Sequence, residues 1–85
     1  MSTVSDNQAL ANISGNLRRL LVARAVSQNG LAREIGESPT RINQYVQGKK
    51  MPGAGVLSRI AEFLDVSIDE IVGQKPPRRS GKKSA

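Results

Sequence analysis

Residues 36–50 read GESPTRINQYVQGKK. Ser38-Pro39 is a strong helix start, because serine caps and proline at the first helical position forfeits no hydrogen bond. Glu37 lies just outside that start, where the helix dipole favours a negative charge. Gly48 is a suitable stop. At about 100° per residue, Ile42, Tyr45 and Val46 share one side of this helix. Gln47, Thr40 and Gln44 occupy the opposite side, flanked by Asn43 and Arg41. That outer face is made of amides, a hydroxyl and a guanidinium. An ordinary solvated helix carries a mixture of Glu and Lys instead. The helix spans about 38–47, greasy on one side and rich in hydrogen-bonding groups on the other.

Working outward, the segment before Gly36 predicts a second short helix. Ser27 is its N-cap, Leu31, Ala32 and Ile35 are its inward stripe, and Gly36 is its stop. Gly30 within it weakens helix propensity by on the order of 1 kcal/mol against alanine. Upstream, Ile13, Leu17, Leu20 and Leu21 recur at helical spacing, extended by Val22 and Val26, which predicts a first helix from about Ser14 to Ala25. Downstream, Met51-Pro52-Gly53 reads as a loop. A fourth helix begins near Gly55, with Val56, Leu57, Ile60, Ala61, Phe63 and Leu64 on its apolar side. A fifth begins at a capping box, Ser67 with Glu70, which Val66 and Ile71 can close as a hydrophobic staple, and it stops at Gly73. The fold class expected is all-α: a compact five-helix bundle over residues 13–73 that contains a helix-turn-helix. Tyr45 and Phe63 are expected in its core. Residues 1–12 are expected to be a loose N-terminal arm with at most a frayed helical turn, and residues 74–85, QKPPRRSGKKSA, a disordered basic tail.

The chain has 85 residues, room for one small domain with a modest core. It has no cysteine and no histidine, so disulfides, thiolate metal sites and the commonest general base are unavailable. No metal or other cofactor is expected. The N-terminus lacks the basic start and apolar stretch of a signal peptide, and no apolar run approaches the roughly 18 residues of a membrane span. A cytoplasmic protein without membrane attachment is expected.

The net charge is +6, and it is unevenly placed. Residues 16–50 carry seven basic side chains against two acids, residues 51–73 carry one against four, and residues 74–85 carry five against none. A basic middle suggests a polyanionic partner, although a solubilising surface charge has the same composition.

Amides and guanidinium groups suit base edges. Gln and Asn pair with adenine through a donor and an acceptor together, Arg pairs with guanine, and an α-helix fits the major groove of B-DNA. A short helix, a tight turn at Gly36-Glu37 and a second capped helix form the helix-turn-helix arrangement, whose second helix enters the groove. A solvated polar face on a small bundle is the competing explanation for any one of these residues. The combination favours double-stranded DNA.

Read together, these residues resemble the lambda-repressor-like, Cro/C1-type helix-turn-helix family. The likeness runs from Ile13 to Gly73. It rests on Leu17-Arg18-Arg19-Leu20, Val26-Ser27-Gln28, Leu31-Ala32, Ile35-Gly36, Ser38 to Ile42, Gln47-Gly48-Lys49, Pro52, Leu57, Ile60-Ala61, Leu64, Val66-Ser67 and Glu70-Ile71. The resemblance implies a role for several positions. Gln28 is to bond a phosphate and buttress the groove-reading helix. Pro39, Thr40 and Gln44 are to meet base edges, with Pro39 limited to apolar contact, and Gln44 is the first choice for readout. Arg41 and Asn43 are to contact bases or phosphates. Gln47, Gly48 and Lys49 are to form a phosphate-binding loop. Ser27, Lys50 and Arg18 complete the phosphate set. Where members often pair Arg with Glu, this chain has Leu21 and Val46, so an apolar contact is expected there. Gly30 and the basic tail also depart from the pattern.

The leading functional expectation is a sequence-specific transcriptional regulator, a repressor, binding as a homodimer on a two-fold operator. Ile68 and Val72, with Leu64 nearby, are candidates for the dimer surface, and equally for core packing. The alternative is a protein-interaction module, such as an adaptor or the antitoxin half of a toxin–antitoxin pair. An enzyme is disfavoured by the absence of His, Cys and paired carboxylates, and RNA binding by the presence of only two aromatics. The tail reads as an arm for non-specific phosphate contacts, a linker to a further domain, or a soluble end.

Overall fold

Five helices account for the architecture of the computed structural model, which describes residues 6–73: α1 Asp6–Arg24, α2 Gln28–Ile35, α3 Pro39–Val46, α4 Ala54–Leu64 and α5 Ile68–Val72. No strand occurs among the described residues. The basic tail lies outside them.

Helix α1 starts at Asp6, eight residues before the expected start at Ser14, so much of the segment read as an arm is helical. Hydrophobic periodicity misses this extension because Leu10 is the only large apolar residue between Asp6 and Asn12. Polar contacts hold it instead. Gln8 Nε2 donates to Asn12 Oδ1 at 3.3 Å, and Asn12 Nδ2 donates to the Val72 carbonyl at 3.2 Å.

Four helices end in the same way. Val26 N–H returns to the Leu21 carbonyl at 2.9 Å, Glu37 to Ala32 at 2.9 Å, Lys49 to Gln44 at 2.8 Å, and Val66 to Ala61 at 2.9 Å. Each closes a six-to-one turn around a left-handed residue: Ala25, Gly36, Gly48 and Asp65. Glycine adopts that conformation without strain at Gly36 and Gly48. These turns keep the connections short and fix α3 against its neighbours.

Helix α1 packs on α3, α4 and α5, while α2 packs on α3 and α4. The core comprises Ile13, Leu17 and Leu21 of α1, Leu31, Ala32 and Ile35 of α2, Ile42, Tyr45 and Val46 of α3, Ile60, Ala61 and Leu64 of α4, and Ile71 of α5. The inward sides expected for α2 and α3 are those observed. Two expectations fail. Val22 is 82% exposed, because it lies about 100° past Leu21 and opposite Ile13 on α1. Phe63 is 40% exposed, because Ile60, Ala61 and Leu64 define the inward arc of α4 and Phe63 falls at its margin. Leu64 belongs to the core, whereas Ile68 is exposed.

Two polar side chains are buried on α1, and both are satisfied. Ser14 Oγ donates to the Val46 carbonyl at the end of α3. Asn16 Nδ2 donates to the carbonyls of Ile71 at 2.7 Å and Gly73 at 2.9 Å, and Asn16 Oδ1 accepts from Arg19. These bonds pair carbonyls that a helix leaves orphaned at its C-terminus. The capping box on α5 is present: Ser67 N–H donates to Glu70 Oε2 at 2.8 Å and Glu70 N–H to Ser67 Oγ at 3.1 Å.

Candidate nucleic-acid interface

Helices α2 and α3 are each started by a serine. Gly30 N–H donates to Ser27 Oγ at 2.9 Å, and Arg41 N–H donates to Ser38 Oγ at 3.1 Å. A Cβ on Gly30 would stand 3.1 Å from Ser27 Oγ. Glycine at this position leaves room for the capping hydroxyl, which offsets its poor helix propensity.

Between the caps, the two helices are joined by side chains. Asn43 Nδ2 on the outer face of α3 donates to Gln28 Oε1 on the first residue of α2, at 3.1 Å. Thr40, Arg41 and Pro39 stand exposed around the N-terminal half of α3, and Gln44 is half-buried one turn beyond Thr40. The expected base-reading set therefore spreads over the outer half of α3: Thr40 and Gln44 lie between Asn43, whose amide is partnered by Gln28 of α2, and Arg41, which faces Glu37 on the other side.

Arg41 is partnered as well. Its Nε lies 3.8 Å from Glu37 Oε1, and Arg59 Nη2 of α4 lies 3.4 Å from Glu37 Oε2. Arg59 Nε also donates to the Ile35 carbonyl at 3.1 Å, which fastens α4 to the end of α2. Burial, and next the charge of Glu37, push the Tyr45 phenol above its ordinary value, while Arg41 and Arg59 pull it back. By position alone, Glu37 signals a charge that the dipole of α3 favours. Its spacing to Arg41, Glu at i and Arg at i+4, signals an ion pair. The Arg59 partner, 22 residues away, carries no local signal.

The residues expected to meet phosphates fall into two groups. Arg18, Ser27 and Gln28 border one open apolar cleft of about 500 Å³, together with Leu21, Val22 and Val46. Leu21 and Val46 are both buried, in keeping with an apolar pair at that place. Gln47, Gly48, Lys49 and Lys50 form the second group, immediately after α3. Gln47 caps the helix, Gly48 is left-handed, and both lysines are exposed. Among the described residues, no cluster of acidic or sulfur side chains is placed to hold a metal ion, and no helix is long and apolar enough to cross a membrane.

Comparison with known proteins supplies the wider frame. A family profile described as helix-turn-helix matches residues 17–71. Multiprotein-bridging factor 1 of Candida glabrata is 34% identical over 58 residues, which is 68% of this chain and 38% of that protein. This chain thus spans well under half the length of that relative. An uncharacterised HTH-type transcriptional regulator of Bacillus subtilis, YazB, is 25% identical over 63 residues, 74% of this chain and 87% of that one. The solution structure of the SOS-response transcriptional repressor LexA from Eubacterium rectale superimposes with a TM-score of 0.75 at 19% identity, covering 92% of this chain and 81% of that one. At that identity the superposition speaks for the fold. With the profile spanning both helices of the motif and the core around them, the chain belongs to the Cro/C1-type helix-turn-helix family of DNA-binding proteins.

Proposed function

We propose that this protein is a non-enzymatic, sequence-specific transcriptional regulator of the cytoplasm, a repressor. It reads the major groove of double-stranded DNA with α3 and binds as a homodimer to a two-fold operator. The observation that carries this reading is the outer face of α3. Thr40 and Gln44 stand there, flanked by Asn43 and Arg41, and the Asn43–Gln28 bond couples one edge of the face to α2. Gln44, with Thr40 and Pro39, meets base edges, and Arg41 and Asn43 meet bases or phosphates. Arg18, Ser27 and Gln28 take one stretch of backbone, and Gln47, Gly48, Lys49 and Lys50 take another. Phosphate contacts set the register and base contacts the sequence. Repression needs only occupancy of the site. In a dimer the half-sites lie about 34 Å apart. The exposed Ile68 of α5 and Phe63 of α4 offer apolar surface for that pairing.

The test is fluorescence anisotropy with a duplex enriched from a random library by this protein, titrated against unrelated duplex at several salt concentrations. A preference on the order of 10³-fold or more supports the reading, and two-fold symmetry in the enriched site supports the dimer. Equal, weak binding of both duplexes refutes it.

A second reading, a module that bridges other proteins, draws support from the likeness to Multiprotein-bridging factor 1. It accounts less well for the amide face of α3. Binding to the biological partner that survives Gln44→Ala unchanged would favour it.

A further inference from the structure

Glu37 sits in the turn between α2 and α3, directly before the Ser38 cap. Its side chain is only 16% exposed, while those of Arg41 and Arg59 are 52% and 50% exposed. The carboxylate therefore lies beneath two guanidinium groups, with one oxygen toward each. Arg59 is itself pinned by its bond to the Ile35 carbonyl. The acid is thus set against a fixed cation on α4, and the charge it presents to Arg41 is fixed with it.

This arrangement bears on how an arginine behaves at a DNA surface. A guanidinium without a protein partner binds any phosphate, and each phosphate engaged adds about 0.9 to the slope of log affinity against log salt. An arginine already facing a carboxylate gains less from a phosphate, because it must give up or share that charge. Contact with guanine O6 and N7 needs the guanidinium held near one place, and the Glu37 carboxylate, 3.8 Å from Arg41 Nε, favours that place by its charge rather than by a hydrogen bond. On the α3 groove reading proposed above, we infer that Glu37 is a positioning residue for Arg41: it restrains the guanidinium from non-specific phosphate binding and directs it to base readout. Glu37 thereby raises the preference for the operator by weakening attachment to all other DNA. Specificity as a difference of affinities is commonly built from such a penalty on the wrong partner.

The experiment compares wild type, Glu37→Gln, Arg41→Gln and the double variant. Each is titrated by anisotropy with the library-enriched duplex and with a random-sequence duplex of equal length, at four or more salt concentrations. Circular dichroism melts check folding. In Glu37→Gln, affinity for the random duplex rises roughly three- to tenfold and its salt slope steepens by about 0.9. The preference for the enriched duplex falls by at least that factor. In Arg41→Gln, binding to the enriched duplex falls while the random-duplex slope stays at the wild-type value. The double variant loses the gain. Unchanged random affinity and slope in Glu37→Gln overturn the inference. So does a gain that persists in the double variant, since it then stems from the lost acid alone. If Glu37→Gln melts early, Arg41→Gln carries the test, and a loss of about 0.9 from its random-duplex slope overturns the inference. Gln44→Ala on the same duplexes reports the groove reading separately. If its preference is unaltered, that reading fails, while the random-duplex slopes still decide the role of Glu37.

Discussion

The Asn43 amide and the Gln28 carbonyl oxygen, 15 residues apart in the chain, meet at 3.1 Å across the helix-turn-helix. One is on the outer face of α3, the other at the first turn of α2, so on the proposed groove reading a phosphate contact at Gln28 would be linked mechanically to a base contact on α3. The bond is exposed, and its contribution to stability is modest, about 0.5–1 kcal/mol. A double-mutant cycle of Gln28→Ala and Asn43→Ala in urea is expected to return a coupling of that size. A coupling near zero would show that the two amides act independently. Gln28→Ala is also expected to weaken binding to enriched and random duplexes alike.

On the proposed reading, Gln44 and Lys49 represent the two kinds of contact, base and phosphate. The Lys49 N–H closes on the Gln44 carbonyl at 2.8 Å, so their backbones are fixed together. Their side chains differ in setting, half-buried on the helix face for Gln44 and exposed beyond the helix for Lys49. Gln44→Ala is expected to cost about 1–3 kcal/mol at the enriched site and relax preference at one base position. Lys49→Ala is expected to weaken all sequences similarly and reduce the salt slope by about one. Equal losses from both variants on both duplexes would remove Gln44 from readout.

Asn16 is 4% exposed and bonds the carbonyls of Ile71 and Gly73 while receiving Arg19. Asn16→Ala leaves those carbonyls without their side-chain donor at the end of α5. The expected cost is about 1–3 kcal/mol. Urea denaturation checks it: the midpoint should fall with the m-value unchanged. A midpoint within error of wild type would mean that water replaces the amide without loss.

The helices carrying the candidate site were legible because their signals are local. Ser27, Gly36, Ser38-Pro39 and Gly48 mark caps and stops that act within a few residues, and Ile42, Tyr45 and Val46 keep one face by period alone. What escaped depends on contacts distant in sequence. The N-terminal half of α1 is anchored by Asn12 to Val72, 60 residues on. Phe63 and Val22 have core chemistry but lie at or beyond the edge of their helices' buried arcs, which a run of apolar residues does not reveal. In the site, the amide face was readable from the helix wheel. The partnering of Arg41 by Glu37 was half readable, from the i to i+4 spacing. The anchoring of Glu37 by Arg59 needed the packing of α4 on α2.

The termini of the helices give a last prediction. Ala25 follows α1 with φ of 58°, in the place that Gly36 and Gly48 occupy after α2 and α3 with φ of 75°. For an L-residue with a Cβ, the left-handed conformation costs on the order of 1 kcal/mol, and glycine removes that cost. Glycine also gains freedom in the unfolded chain, which takes back part of the benefit. Ala25→Gly is therefore expected to stabilise by about 0.5–1 kcal/mol, a rise of roughly 2–8 °C in Tm for a domain of this size. Gly36→Ala is expected to lower Tm, since it puts the same strain where none exists. Thermal melts followed by circular dichroism read both. If Ala25→Gly lowers Tm instead, unfolded-state freedom outweighs backbone strain at this turn, and the return of Val26 to Leu21 holds the end of α1 whichever residue precedes it.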